Sequence, residues 1–364
     1  MSGQDSLGSS SSGAVLVRGT GLIGTSVGLA LRAAGWQVWL TDPDPRAQKQ
    51  AAELGAGSVD APDAETIDIV VVCAPPDLIH HVVIDSLERF PNATVTDVAS
   101  LKARILEQVA GHVDAARYIG GHPLAGRETS GPGGARSDLF EGRPWVITPD
   151  GADAQNVELL RGMVEATGAT VVEMEAAQHD SAVAAVSHVP QVMASLTAAR
   201  LTGLDDEALA LSGQGLRDVT RIAASDPQMW SHIIGGNADA VVAVLDGIAA
   251  DLAALRQSLV QDGSRAASAV ADLVAQGNAG QARIPGKHGA AAQRYSTVLV
   301  VIPDEAGALA RLFDVVGDLG VSIEDLALEH SPGQPVGLAT LSVLPSTADA
   351  LMDGLETEGW VVHR

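Results

Sequence analysis

The tightest constraint on this chain lies near its start. Ala14 to Arg18 is a short apolar run of buried-strand length, and it feeds directly into Gly19-Thr20-Gly21-Leu22-Ile23-Gly24. In a G-x-G-x-x-G at a strand-to-helix turn, the first glycine permits the turn and the second lets the backbone approach a pyrophosphate. The third lets helix and strand pack closely, with the phosphates on the helix N-terminus. Thr25 to Gly35 continues with helical apolar spacing at Val27, Leu29, Ala30 and Leu31, and Gly35 ends it. A second strand, Gln37 to Leu40, delivers Asp42 about 20 residues beyond the glycines, where an acid takes the adenosine ribose hydroxyls. These features predict a Rossmann-type α/β domain that holds a dinucleotide. Asp42 would repel a 2′-phosphate, which favours NAD over NADP, although Arg46 nearby pulls the other way.

Alternation continues through a β-rich run from Ile67 to Cys73, a helical segment to Phe90 and a strand from Ala93 to Thr96. Ligands of open parallel sheets lie at the carboxyl ends of strands, which singles out Ala74-Pro75 and the stretch Asp97 to Lys102. Ser100 reads either as the N-cap of a helix beginning at Leu101, worth about 1 kcal/mol, or as a group that orients a catalyst. A strand from Arg117 to Ile119 precedes a loop, Gly120 to Gly131, that carries His122 between glycines and a proline. Small neighbours let such a histidine approach a ligand, and the plainer alternative is a polar surface residue. Strands at Pro144 to Thr148 and Thr170 to Met174 close a domain over 14–175.

From Gln178 the pattern is helical, and a helical substrate and dimerisation domain is expected over 176–280. Gln178 to Arg200 carries His179 and, nine positions on, Ser187-His188-Val189-Pro190. That separation is about two and a half turns, so the two histidines are expected on opposite sides of one helix, unable to share a metal. No metal site is expected. Pro190 should kink or interrupt the helix, and His188 beside the kink is the better functional candidate, a core histidine being the bland alternative. Arg217 and Arg221 share a helix face at i,i+4; they read either as an anion site or as a solvated face paired with Asp218 or Asp226. Asn237 to about Gln261 repeats apolar residues at Val241, Leu245, Ile248, Leu252, Leu255 and Leu259, a heptad seam suited to helix packing or a homodimer. A linker over 281–294 leads to a βαββαβ module over 295–364.

Charge narrows the partners. With 22 basic and 45 acidic side chains the formal net charge is −23, which argues against nucleic-acid binding. Any anionic substrate needs a local cluster of cations, and lysine occurs only at Lys49, Lys102 and Lys287. Cys73 is the only cysteine, so an intramolecular disulfide is excluded and a buried inert thiol is expected. No uninterrupted apolar run approaches the roughly 20 residues that span a bilayer. Residues 1–13 read as a disordered Ser/Gly-rich tail without an export signal, which together with the lone cysteine points to the cytoplasm.

On these residues the chain resembles the prephenate and arogenate dehydrogenases of tyrosine biosynthesis joined to a C-terminal ACT regulatory domain. The resemblance rests on the glycine motif, on Asp97-x-x-Ser100-x-Lys102 and on Gly121-His122-Pro123-Leu124-Ala125-Gly126. Further support comes from His179-Asp180 with Ser187-His188-Val189-Pro190, and from Arg217-Asp218-x-Thr220-Arg221 leading to Asp226-Pro227-x-x-Trp230. The ACT part rests on Pro303-Asp304-Glu305-x-Gly307 and Gly320 to Asp325.

The resemblance implies NAD-dependent oxidative decarboxylation of prephenate, with arogenate as the alternative substrate. It implies cofactor contacts at Gly19, Gly21, Leu22, Ile23, Gly24, Asp42, Ala74, Pro75 and Ser100. His122 would accept the hydroxyl proton, Ser100 would orient it, and Arg221 would anchor the ring carboxylate; His188, Arg217, Glu128 and Trp230 would complete the pocket. Asp304, Glu305 and Gly307 would bind an amino-acid effector, tyrosine being expected. Arg127 departs from the small or hydroxylated residue expected after Gly126. A hydroxy-acid dehydrogenase is disfavoured because no lysine occurs between Lys102 and Lys287. A non-catalytic amino-acid sensor is disfavoured by the intact set of His122, Ser100 and Arg221.

Overall fold

The computed structural model describes residues 13–60, 62–126, 129–261, 263–285, 295–330 and 336–363. Most of the expected tail, most of the expected linker, and both Arg127 and Glu128 therefore lie outside the described residues. The chain forms two compact units, Met1–Asp251 and Leu252–Arg364.

The first unit opens with β1 (Ala14–Arg18), α1 (Leu22–Ala33), β2 (Gln37–Thr41), α2 (Pro45–Glu53), β3 (Ile69–Val72), α3 (Ile79–Arg89), β4 (Thr94–Asp97) and α4 (Ala103–Val109). It continues with β5 (Tyr118–Pro123), β6 (Pro144–Thr148), α5 (Ala154–Ala166) and β7 (Thr170–Glu173). The seven strands lie in the order β2-β1-β3-β4-β5-β6-β7. All neighbours are parallel except β5 and β6, which run antiparallel. Because β1 pairs with both β2 and β3, the strand order reverses there, opening a crevice at the carboxyl ends. Period-two alternation sends Val15 and Val17 into a core with Val27, Leu31 and Val71, while Leu16 joins Val70, Val72, Ile79 and Val83 on the other face. Covering on both faces explains why β3 is buried at every position.

His122 lies within β5, paired with Val146 of β6, and not in a loop after the strand. The glycines before it serve packing: a Cβ on Gly121 would stand 2.4 Å from the Asp97 carbonyl, and one on Gly120 would stand 2.5 Å from Thr148 Oγ1. Ser100 is not a helix cap, because α4 begins two residues later than expected and its end is satisfied from elsewhere in the fold.

The helices that follow are α6 (Ala176–Val183), α7 (Val189–Leu201), α8 (Asp206–Leu209), α9 (Gln214–Thr220), α10 (Pro227–Gly236) and α11 (Ala238–Gln261). A π turn, Ala184–His188, joins α6 to α7 where Pro190 withdraws a backbone donor. The wider turn departs from the regular pitch on which the relative placement of His179 and His188 is reckoned; His179 meets His122, and His188 meets Asn237 and Trp230. The run Ala176–Leu201 has 26 residues and contains an 18-residue stretch of mean hydropathy 1.3. By length and composition alone it is long and apolar enough to cross a membrane, although polar residues interrupt its apolar sequence. Its buried polar residues His179, Asp180 and His188 are bonded within this unit. In α11, Val241 is buried and Leu245 and Ile248 pack with Val189 and Met193, so the first half of the heptad seam is internal. Leu252 and Leu259 remain exposed.

The second unit contains α12 (Gly263–Gln281), β8 (Ser296–Pro303), α13 (Ala308–Asp318), β9 (Ile323–His330), β10 (Val336–Val343), α14 (Pro345–Thr357) and β11 (Val361–His363). Its sheet is antiparallel in the order β11-β8-β10-β9. Val298, Val300 and Ile302 alternate inward against Leu312, Val316, Leu351 and Leu355 of the two covering helices. Leu259, Val270 and Val274 line an apolar groove of about 670 Å³ beside four alanines of α12.

The glycine turn separates fold from binding. A Cβ on Gly24 would stand 1.9 Å from the Gly19 carbonyl, whereas one on Gly21 meets nothing within 4 Å. Gly24→Ala is therefore expected to lower stability by roughly 1–3 kcal/mol, seen as an earlier denaturation midpoint, while Gly21→Ala leaves the midpoint unchanged.

Candidate active site

The crevice between β1 and β3 has the features of a dinucleotide cradle. Gly19 adopts φ +110°, and a Cβ there would collide with the Cys73 carbonyl at 2.2 Å. Gly21 caps α1 without a side-chain bond, so the first-turn N–H groups of Leu22, Ile23 and Gly24 sit beside open space. Asp42 follows β2 and braces the turn: Oδ2 accepts from Thr20 N at 2.6 Å and Thr20 Oγ1 at 2.9 Å, and Oδ1 accepts from Asp44 N at 2.8 Å. A carboxylate offers about four acceptor positions, which leaves one for a ribose hydroxyl. The residues present thus fit a dinucleotide. Ala74 and Pro75 sit at the adjoining end of β3, and the half-buried Cys73 thiol is pushed up by burial and by the charge of Asp97.

Beyond β4 lies a fully buried polar cluster. Lys102 Nζ pairs with Asp97 Oδ1 and donates to the Gly121 carbonyl at 2.7 Å. Tyr118 Oη donates to Asp97 Oδ2 at 2.7 Å. Burial pulls the Lys102 ammonium down from its ordinary pKa and the Asp97 charge works against that; burial and the same charge push the Tyr118 phenol well up.

His122 stands beside this cluster. Its Nδ1 lies 2.8 Å from His179 Nε2, and His179 Nδ1 lies 2.8 Å from Asp180 Oδ1. Asp180 also accepts from the Lys102 and Ala103 amides, both at 2.9 Å, and so supplies the N-terminus of α4 with the bonds once expected of Ser100. Burial, followed by the charges of Lys102, His179 and His188, holds the His122 imidazole well below its ordinary pKa. It is a neutral base at physiological pH.

Ser100 makes no hydrogen bond to His122 among the described residues; it lines a cavity of about 350 Å³ with Pro76, Arg104, His232 and Gly236. His188 is buried, with Nδ1 3.2 Å from Asn237 Nδ2 and its ring edge-on to Trp230 at 6.2 Å. Arg217 and Arg221 are exposed, and the carboxylates nearest in sequence are engaged elsewhere. Asp218 accepts from Gln214, and Asp226 caps α10. Among the described residues neither arginine has an ion-pair partner, so the reading of a solvated paired face does not hold.

Sequence reasoning gave no role to Lys102, Asp180 or Asn237, whose partners are distant in sequence. It expected an interruption at Pro190, and a π turn stands there.

This geometry has relatives. Residues 27–173 match the family model described as prephenate dehydrogenase, nucleotide-binding domain, and residues 175–271 match prephenate dehydrogenase, dimerization domain. The chain is 36% identical to the probable prephenate dehydrogenase NovF of Streptomyces niveus, over 95% of this chain and 98% of that protein. It is 30% identical to the cyclohexadienyl dehydrogenase of Zymomonas mobilis, over 68% of this chain and 89% of the other. Among solved structures, prephenate dehydrogenase from A. aeolicus in complex with hydroxyphenyl propionate and NAD+ superposes with a TM-score of 0.66. That match has 27% identity and covers 77% of this chain and all of that one. Synechocystis arogenate dehydrogenase gives a TM-score of 0.63 at 27% identity, covering 74% and 98%. With identity sustained over nearly its whole length and both domain models matched, the chain belongs to the prephenate dehydrogenase family.

Proposed function

We propose that the chain is an NAD-dependent prephenate dehydrogenase, converting prephenate to 4-hydroxyphenylpyruvate and carbon dioxide. The observation that carries this reading is His122: a neutral imidazole, held by a second histidine, one strand beyond the β4 end that borders the dinucleotide crevice. Bound NAD supplies a hydride acceptor.

The residues of this chain do the rest. His122 takes the proton of the ring hydroxyl as the carbon–hydrogen bond beneath it is lost, leaving a ring carbonyl. The electron pair of the ring-to-carboxylate bond then moves into the ring, carbon dioxide leaves, and His122 returns its proton to the phenolate oxygen. Arg221 anchors the ring carboxylate, while Arg217 and Glu128 serve the side-chain end; the exposure of both guanidiniums, neither with an ion-pair partner among the described residues, supports this reading for the arginines. His188 and Trp230 form a wall of the pocket. Ser100 acts at the nicotinamide edge, consistent with its position after β4.

The βαββαβ module of the second unit is read as a ferredoxin-like ACT domain, supported by its element order. A pocket of about 290 Å³ formed by Asp304, Glu305, Gly307, Leu309, Leu328 and Gly337 is the place for a tyrosine effector. The apolar groove of α12 and the exposed Leu252 and Leu259 fit a homodimer, in keeping with the name of the family model that reaches residue 271.

His122→Asn is expected to lower kcat by about 10²- to 10⁴-fold with prephenate and NAD, in a reduced-nicotinamide absorbance assay, while NAD affinity holds. Turnover with arogenate alone would change the substrate and keep the mechanism. Because the His122 pKa is depressed, the active neutral form persists as pH falls through 6.5. The kcat/KM profile should therefore stay level there and decline only at lower pH. Arg221→Ala should cost about 2–5 kcal/mol in kcat/KM for prephenate. Deleting residues 295–364 should abolish tyrosine inhibition and leave turnover; unchanged inhibition would place tyrosine in the active site.

A further inference from the structure

The buried polar scaffold around Asp180 does more than hold helices together. Asp180 is largely buried, yet its carboxylate meets three donors: the Lys102 and Ala103 amides and a ring nitrogen of His179. Its backbone carbonyl accepts from Asn237 Nδ2 at 2.8 Å, and the same amide nitrogen faces His188 Nδ1 at 3.2 Å. One residue therefore touches both catalytic-side histidines through one intermediary each.

Donor and acceptor bookkeeping along these chains has a single solution for neutral rings. An ionised carboxylate only accepts, so His179 Nδ1 must carry its hydrogen and His179 Nε2 must present a lone pair. Facing that lone pair, His122 Nδ1 must be the protonated nitrogen, which leaves His122 Nε2 free to accept. On the other branch, the Asn237 amide nitrogen spends one hydrogen on the Asp180 carbonyl and directs the other at His188 Nδ1. That nitrogen must then accept, so His188 carries its hydrogen on Nε2.

We infer that two positioning residues set the histidines in opposite tautomers: the Asp180 carboxylate makes His122 an acceptor through His179, and Asn237, held by the backbone carbonyl of residue 180, makes His188 a donor. The inference rests on the reading of His122 as the base and adds how that base is kept ready. Burial works to raise the Asp180 carboxyl, but the bonds from His179, Ala103 and Lys102 outweigh it and keep the group ionised. A proton arriving on His122 Nε2 also finds a route for its charge, because the neutral His179 lone pair and the Asp180 carboxylate stand in line behind it. A pair of unlike tautomers gives a hydroxyl-to-carbonyl oxidation what it needs, one group that receives a proton and one that donates a hydrogen bond.

The test is nitrogen-15 NMR of histidine-labelled, full-length protein with NAD bound, where the two tautomers differ in their long-range proton–nitrogen patterns. Expected are a proton on Nδ1 of His122 and on Nε2 of His188; the reverse at either ring overturns that branch. His179→Leu removes the acceptor and should lower kcat by 10-fold or more with KM and NAD affinity within threefold. His179→Gln offers an amide hydrogen to Asp180 and a carbonyl to His122, and should restore kcat to within threefold of the parent. Equal losses in the two variants would mean that His179 only packs, and would overturn the inference. The reading of His122 as base fails separately, if His122→Asn retains turnover while the tautomers are as stated. Should His179→Leu not fold, the parent spectrum and the glutamine variant still decide.

Discussion

The buried pair of Asp97 and Lys102 is the constraint on which the site depends. An ammonium and a carboxylate taken out of water lose several kcal/mol each in solvation, so both must have their hydrogen-bonding capacity filled. Here the filling comes from the neighbours of His122: the Gly121 carbonyl on Lys102, and Tyr118 Oη on Asp97. Satisfying the pair thus fixes β5 against the end of β4, which sets where His122 stands. It also explains the two glycines before the histidine, since a Cβ on Gly120 would come within 3.0 Å of Lys102 Cδ and one on Gly121 would strike the Asp97 carbonyl.

A second tie joins the nucleotide-binding sheet to the helices that follow it. Helix α4 is only seven residues long, and Lys102 at its N-cap position supplies no capping side chain. Both oxygens of Asp180, on α6, fill the gap. A helix N-terminus attracts negative charge, so each side satisfies what the other lacks. The consequence is mechanical: α6 and its π turn cannot shift without exposing an ionised carboxylate and two amides, and His179 and His188 are carried on that anchored segment.

Much of this architecture was legible in the sequence because it rests on short-range rules. The strands from Ala14 and Pro144, the glycine turn and the βαββαβ order of the last seventy residues follow from period-two patterns, short apolar runs and turn residues. What escaped depends on distant partners. Gly120 and Gly121 look like loop residues until the pair behind them is known. Ser100 looks like a cap until the carboxylate of Asp180, 78 residues beyond Lys102, takes that place. The angle between His179 and His188 follows from helical pitch only if the pitch is regular, and Pro190 makes it irregular. The heptad of α11 is continuous in sequence, yet its first half meets α7 and its second half does not, a division periodicity does not encode.

The charge of the chain sets the remaining problem, because a protein at −23 must still accept a dianion. At physiological ionic strength, charges beyond about 8 Å in solvent are largely screened, so the total weighs less on a bound substrate than the groups it touches. Arg217 and Arg221 carry no carboxylate partner among the described residues, and the acids beside them in sequence are committed to Gln214 and to the cap of α10. Leaving two guanidiniums unpaired on so acidic a chain has no benefit for folding, since surface ion pairs contribute only about 0–1 kcal/mol and could have formed at little cost. Exposed and unpaired, they are available to a bound anion, for which a desolvated, two-pronged contact is worth several times as much. For an anion that met both guanidiniums, that local charge would outweigh the screened field of the whole molecule.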